Sequence, residues 1–138
     1  MQLLTLDLTP SNMEPMRISV CMAKIHRATV TEADLNYIGS ITIDEALLEA
    51  SGIRPFQYVN ITNLANGVLW RTYVMAGPRG GGSICLNGPP AHHFHPGDKI
   101  IVLAEAFVEP CELKDLVPVI VFVDEHNRVT EVKRHQLS

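Results

Sequence analysis

The chain has 138 residues, with 11 Lys and Arg against 15 Asp and Glu, a formal net charge of −4, six His, three Cys and 46% hydrophobic residues. One domain of this size buries roughly 65–70% of the surface its unfolded chain exposes, which argues against disorder and removes any need for disulfides or a metal to hold a core. The acidic balance argues against a nucleic-acid partner, because the one basic cluster, Lys133-Arg134-His135, reads as a solvated end. Apolar runs such as Ile100 to Ala104 are far too short to cross a bilayer. The odd and widely spaced Cys21, Cys85 and Cys111 suit free, buried thiols in a reducing compartment, so a cytoplasmic protein without a membrane partner is expected.

Residues 1–15 contain Pro10, Ser11, Asn12 and Pro15 without sustained periodicity, and are expected to form an irregular leader before a domain over 16–138. From Arg17 to Thr31, apolar and β-branched residues on alternate positions predict a strand. Thr31 to Leu35 suggests a helical turn capped by Thr31, and Ile41 to Ile43 a short strand. Asp44 to Ser51 is the one convincing helix, with acidic residues in its first turn and Gly52 placed for a left-handed end. Tyr58–Thr62 and Val68–Met75 are predicted strands around the hairpin signal Asn66-Gly67. Ser83–Leu86, Lys99–Val108, Pro118–Val123 and Arg128–Val132 complete the strands, the last two flanking a hairpin loop at Asp124–Asn127. Many short strands and one short helix point to a closed β-barrel, since closure removes exposed edges.

Three motifs invite chemistry. The run Gly77-Pro78-Arg79-Gly80-Gly81-Gly82-Ser83 has the glycines of a phosphate cradle but neither the Lys-Ser/Thr ending nor a following helix, so a flexible hairpin loop is the better reading. His92, His93 and His95 would place two imidazoles on one face if they lay on a strand, which keeps open a barrel that binds a metal or small ligand. Cys21 and His26 would point to opposite faces, and no Gly-x-Ser-x-Gly elbow occurs, so thiol and serine hydrolase chemistry lack support.

The stretch Lys24-Ile25-His26-Arg27, Val30-Thr31-Glu32-Ala33-Asp34-Leu35 and Tyr37-Ile38-Gly39-Ser40 resembles the self-cleaving segment of the pyruvoyl-dependent aspartate 1-decarboxylases. The similarity continues through Asn63, Asn66-Gly67, Thr72-Tyr73-Val74, Ile84 to Gly88, Ala91-His92 and Gly97-Asp98, covering nearly all of Met16 to Val132. This resemblance implies a mainly β fold, a six-stranded double-psi β-barrel with short helices, assembled as a homotetramer with sites between subunits. It also implies autocleavage between Gly39 and Ser40 into chains 1–39 and 40–138, with or without a maturation factor, and conversion of Ser40 to a pyruvoyl group. That ketone condenses with an amino-acid substrate, by default L-aspartate, and yields β-alanine for pantothenate synthesis.

The roles implied by the same resemblance are Lys24 as a substrate-carboxylate contact, Tyr37 and Asn87 as contacts near the reacting group, Tyr73 as proton donor and Thr72 as an aid to cleavage. Gly39 is expected to exploit its missing Cβ to take a strained conformation that opens its carbonyl to Ser40 Oγ. Two positions depart from the family pattern. Leu69 stands where the family has a carboxylate-binding arginine, and Arg71, two residues on and on the same strand face, is the candidate substitute. Loss of the clamp raises the prospect of a different amino-acid substrate. Pro89-Pro90 replaces small residues and removes two backbone donors.

Overall fold

The computed structural model describes residues 16–135; the leader expected over 1–15 lies outside them. Its strands are β1 (Ile18–Thr29), β2 (Glu32–Asp34), β3 (Ser40–Asp44), β4 (Tyr58–Asn63), β5 (Leu69–Gly77), β6 (Ile84–Asn87), β7 (Lys99–Val108), β8 (Val119–Val123) and β9 (Val129–Arg134), with helix α1 (Glu45–Ser51) between β3 and β4. Two 3-10 turns, Pro89–His92 and Pro110–Asp115, follow β6 and β7.

The strands form one sheet in the order β2-β6-β3-β5-β4-β7-β1-β8-β9. Strand β3 lies between β5, to which it is parallel, and β6, to which it is antiparallel. Likewise β1 lies between β8, parallel, and β7, antiparallel. In both cases two consecutive strands leave a gap that an earlier strand fills. These two ψ motifs account for the six strands of the expected double-psi barrel, while β4 bridges the halves and β2 and β9 extend the edges.

Alternation sorts each strand into a core face and an outward face. One transverse row, Ile25, Val102 and Ile61 on β1, β7 and β4, is fully buried. The next row, Lys24, Leu103, Asn60 and Arg71, takes the opposite face of the same strands plus β5. Each fully buried Ile or Val contributes roughly 1.5–3 kcal/mol relative to exposure, so the period-two pattern fixes the register.

Helix α1 ends at Gly52 as expected and begins one residue late, at Glu45, with Asp44 as its cap rather than in its first turn. Asp44 accepts the Ala46 N–H at 2.8 Å, and Gly52, at φ 79°, donates its N–H to the Leu48 carbonyl at 2.8 Å. Asn66-Gly67 closes the β4–β5 hairpin within the loop Leu64–Gly67, with the Asn63 N–H on the Val68 carbonyl.

Two expectations are corrected. Thr31 to Leu35 is not a helical turn: Glu32–Asp34 pairs in parallel with Cys85–Asn87 of β6, and the Thr31 hydroxyl exchanges hydrogen bonds with the backbone of Ile84. The cap-like threonine serves a strand junction instead. The glycine run is not a hairpin loop either, because β3 separates β5 from β6. The Asp44 carboxylate accepts the N–H groups of Gly80 at 2.9 Å and Gly82 at 2.8 Å, so the loop's donors are already occupied by an anion of the chain itself.

Burial disfavours the Asp44 carboxylate, but the N–H donors of Ala46, Gly80 and Gly82 and the charge of Arg128 outweigh it and hold the carboxyl below its ordinary value. A group with a depressed folded-state pKa stabilises the fold fully above its unfolded value and loses that contribution as pH falls through the folded one. The melting temperature is therefore expected to drop on acidification below about pH 4. Asp44→Asn should cost about 1–2 kcal/mol at neutral pH and flatten part of that acid decline. Thermal melts of both proteins across pH 2–7 check this, and parallel curves would contradict it.

Candidate active site

Ser40 opens β3 and faces Asn87, the last residue of β6, across an antiparallel rung. Ile41 and Ile43 enter the core, so Ser40 and Thr42 project from the other face. Ser40 and Asn87 are nonetheless almost fully buried. The Asn87 carboxamide donates to Ser40 Oγ at 3.3 Å and to Thr42 Oγ1 at 3.1 Å.

Gly88 follows at φ 77°, donating its N–H to the Asp34 carbonyl at 2.8 Å. A Cβ at Gly88 would lie 2.9 Å from the Gly39 Cα and 3.1 Å from the Gly39 nitrogen. Gly39 differs from expectation: its backbone is outside the left-handed region, and a Cβ there would meet nothing closer than 3.8 Å. The need for a missing side chain thus sits at Gly88, where a Cβ would run into the backbone of Tyr37 and Gly39 just before the Gly39–Ser40 link. Sequence reasoning passed over Gly88, although Asn-Gly at a strand end signals a positive φ.

A cavity of about 190 Å³ reaches Ser40's neighbour Asn87 and is lined by Glu32, Asp34, Tyr37, Thr42, Cys85 and Asn87. Tyr37 is 61% exposed at its rim. Burial pushes the Cys85 thiol up to about 12, helped by its hydrogen bond to the Glu32 carboxylate at 3.3 Å, so it remains a neutral donor. The expectation of three buried cysteines fails: Cys21 and Cys85 are half-buried and Cys111, on the Pro110–Asp115 turn, is exposed. A larger cavity of about 300 Å³ lies beside α1 and includes none of the candidate residues.

The remaining candidates are not in the cavity beside Ser40. Tyr73 precedes Val74, the first rung partner of Ile41, as Ser40 precedes Ile41 itself, so both sit where the β3–β5 ladder opens. The Tyr73 ring stacks on Phe56 at 6.1 Å and meets Tyr58 edge-on at 6.2 Å. Thr72 is buried on the core face. Arg71 lies over the Tyr58 ring at 5.2 Å and 3.9 Å from the Glu105 carboxylate. Leu69, two residues away on the same face, is exposed. Lys24 shares a transverse row with Arg71 but is three strands distant, roughly 14 Å along the sheet.

The histidines do not form a strand face. His92 ends the Pro89–His92 turn, and His92, His93 and His95 are all exposed. His93 lies against Trp70 at 6.3 Å and His95 Nδ1 lies 3.8 Å from Asp98. Among the described residues no group of three or more His, Cys, Asp or Glu is arranged to hold a metal ion. Pro89 and Pro90 occupy the start of that turn, where backbone N–H groups lack helical partners anyway.

A family model described as aspartate decarboxylase matches residues 16–130. The chain belongs to the aspartate decarboxylase family. It is 50% identical over 122 residues to the aspartate 1-decarboxylase of Carboxydothermus hydrogenoformans, covering 88% of this chain and 96% of that one. It is 51% identical over 121 residues to the enzyme of that name from Lactiplantibacillus plantarum, covering 88% and 93% of the two chains. A third, from Sulfurimonas denitrificans, is 50% identical over 117 residues, 85% of this chain and 97% of the relative. The aspartate decarboxylase family implies a pyruvoyl cofactor and a double-psi β-barrel, and the two ψ motifs agree with it.

Gly88→Ala should destabilise this member of the family by about 2 kcal/mol or more, because φ 77° strains any L side chain and the new methyl meets backbone rather than a movable side chain. Chemical denaturation checks the prediction, and a variant as stable as the parent would refute it.

Proposed function

We propose that the chain is a self-processing aspartate 1-decarboxylase that converts L-aspartate to β-alanine and CO2, with its pyruvoyl group derived from Ser40. The observation that carries this reading is a buried serine hydroxyl at the start of β3 holding an amide donor from Asn87, in a chain of this family. A group made from residue 40 needs such a place: enclosed, small and provided with a donor. In the cleavage step Ser40 Oγ bonds to the Gly39 carbonyl carbon, the Gly39–Ser40 C–N bond breaks, and the hydroxyl proton ends on the Ser40 nitrogen. Loss of the Gly39 carboxylate by elimination, then addition of water and release of ammonia, leaves chains 1–39 and 40–138. Gly88 lets the segment before the cleaved link pass close by, because it carries no Cβ, and Thr72, on the strand beside β3, would assist the Gly39 carbonyl.

The pyruvoyl carbonyl supplies an electron sink for the pair released with CO2. This chain's residues do the rest. Lys24 and Arg71 offer cations for the substrate carboxylates. Tyr73 holds a phenolic proton for return to Cα, Tyr37 screens the cavity rim from water, and Asn87 positions the oxygen at residue 40. Phe56, Tyr58 and Leu69 are exposed near Arg71 and Tyr73, and this apolar patch supports a site completed by a second copy within a homotetramer. No helix among the described residues is long and apolar enough to cross a membrane, and half-buried and exposed free thiols suit a cytoplasmic location. Neither a different amino acid nor metal binding at His92, His93 and His95 is favoured by an observation.

Intact mass spectrometry of the wild type should show two fragments broken between Gly39 and Ser40, while Ser40→Ala stays whole and releases no CO2 from aspartate. A wild-type chain that remains intact with an unmodified Ser40 rejects the proposal. Cleavage of the isolated precursor, with and without cell extract, separates unaided processing from dependence on a maturation factor. Arg71→Ala should raise KM for aspartate about tenfold or more, with partial recovery in Arg71→Lys. An unchanged KM would remove Arg71 from substrate binding.

A further inference from the structure

The Asn87 carboxamide has two N–H hydrogens, and both have acceptors: Ser40 Oγ at 3.3 Å and Thr42 Oγ1 at 3.1 Å. We infer that Thr42 is a positioning residue for self-cleavage, because its hydroxyl fixes which end of the Asn87 side chain faces Ser40. The inference rests on the self-processing reading and extends it to a residue outside the cleaved link.

The orientation of a carboxamide beside a lone hydroxyl is ambivalent, since the hydroxyl accepts from the N–H end or donates to the oxygen end. The two ends differ in consequence. An N–H donor on Ser40 Oγ leaves the hydroxyl proton free to depart and stabilises the negative charge that builds on Oγ during attack. An amide oxygen in the same place would take that proton into a hydrogen bond and meet the charged oxygen with its own negative end. A second oxygen held with its lone pair toward the amide selects the N–H end, and Thr42 Oγ1 lies in that place.

Thr42 is built to be that acceptor. Its backbone is paired on both sides, with Met75 of β5 and Cys85 of β6. Its γ-methyl lies where a Cβ at Gly77 would come within 3.0 Å, so the absence of a side chain at Gly77 provides the methyl's berth and leaves the hydroxyl to face Asn87. A β-branched side chain has few χ1 choices, and this contact removes more of them. The cavity that Thr42 lines also carries Glu32 and Asp34, and carboxylates on that side favour a hydroxyl whose proton points to the cavity and whose oxygen points to the amide. Thr42 touches neither the Gly39 carbonyl nor substrate in this account; it acts through Asn87.

The test follows cleavage of the full chain made by pulse-labelled cell-free translation, separating precursor from fragments by electrophoresis over time. Thr42→Val keeps the shape and the methyl berth but lacks the acceptor, and should slow cleavage about tenfold, which corresponds to about 1.4 kcal/mol or one ordinary hydrogen bond. Thr42→Ser keeps the hydroxyl and should recover to within about threefold of wild type. Combining Thr42→Val with Asn87→Ala should add no further slowing to Asn87→Ala alone. Cleavage of Thr42→Val at the wild-type rate overturns the inference, as does a Thr42→Ser variant equally slow, or a further tenfold loss in the Asn87→Ala background. Failure of the wild type itself to cleave overturns the self-processing reading and this inference with it.

Discussion

The carboxylate of Asp44 ties the end of β3, the start of α1 and the loop between β5 and β6 to one point. It caps α1 through Ala46 and accepts the N–H groups of Gly80 and Gly82 from the loop between β5 and β6. Because β3 lies between those two strands, their connection must pass over the end of β3, and Asp44 is that end. One buried anion therefore sets the start of the helix, the path of the crossover and the entry of β6. The position of β6 in turn decides where Asn87 meets Ser40.

The site uses what alternation leaves over. Ile41 and Ile43 commit β3 to the core, which sends Ser40 and Thr42 outward beneath the 34–39 segment. The same parity places Lys24, Arg71 and Tyr73 on the outward face of their strands. Core packing and chemistry thus share strands without competing for faces, and the half of the fold that is not core remains available for contacts between copies.

Most of the strands and the helix were legible in sequence because they depend on local signals: period-two burial, acidic residues in the helix's first turn, a Gly at the helix end and Asn-Gly at a turn. The errors have a common origin in long-range pairing. Glu32–Asp34 carries helix-turn residues yet becomes a strand because β6 offers it partners fifty-three positions away, the separation of Thr31 from Ile84. The glycine run looks like a hairpin until β3 is known to intervene. His92 and His93 alternate with nothing on a sheet because Pro89 and Pro90 start a 3-10 turn. At the site, Gly39-Ser40 was visible as a motif, whereas the steric demand of Gly88 depends on two segments forty-nine residues apart that touch only in the fold.

The placement of β1 also bears on what a break after Gly39 would do. Strand β1 is clasped between β7 and β8, and β2 is laddered to β6, so every partner named belongs to the part of the chain beyond the break. The shorter fragment would remain woven into the barrel as a structural stave rather than fall away as a released peptide. Assembly would then be easy once and hard afterwards. The precursor closes its barrel as a single molecule, but a nicked barrel that comes apart must find its stave again by collision, so its recovery depends on concentration where the precursor's does not.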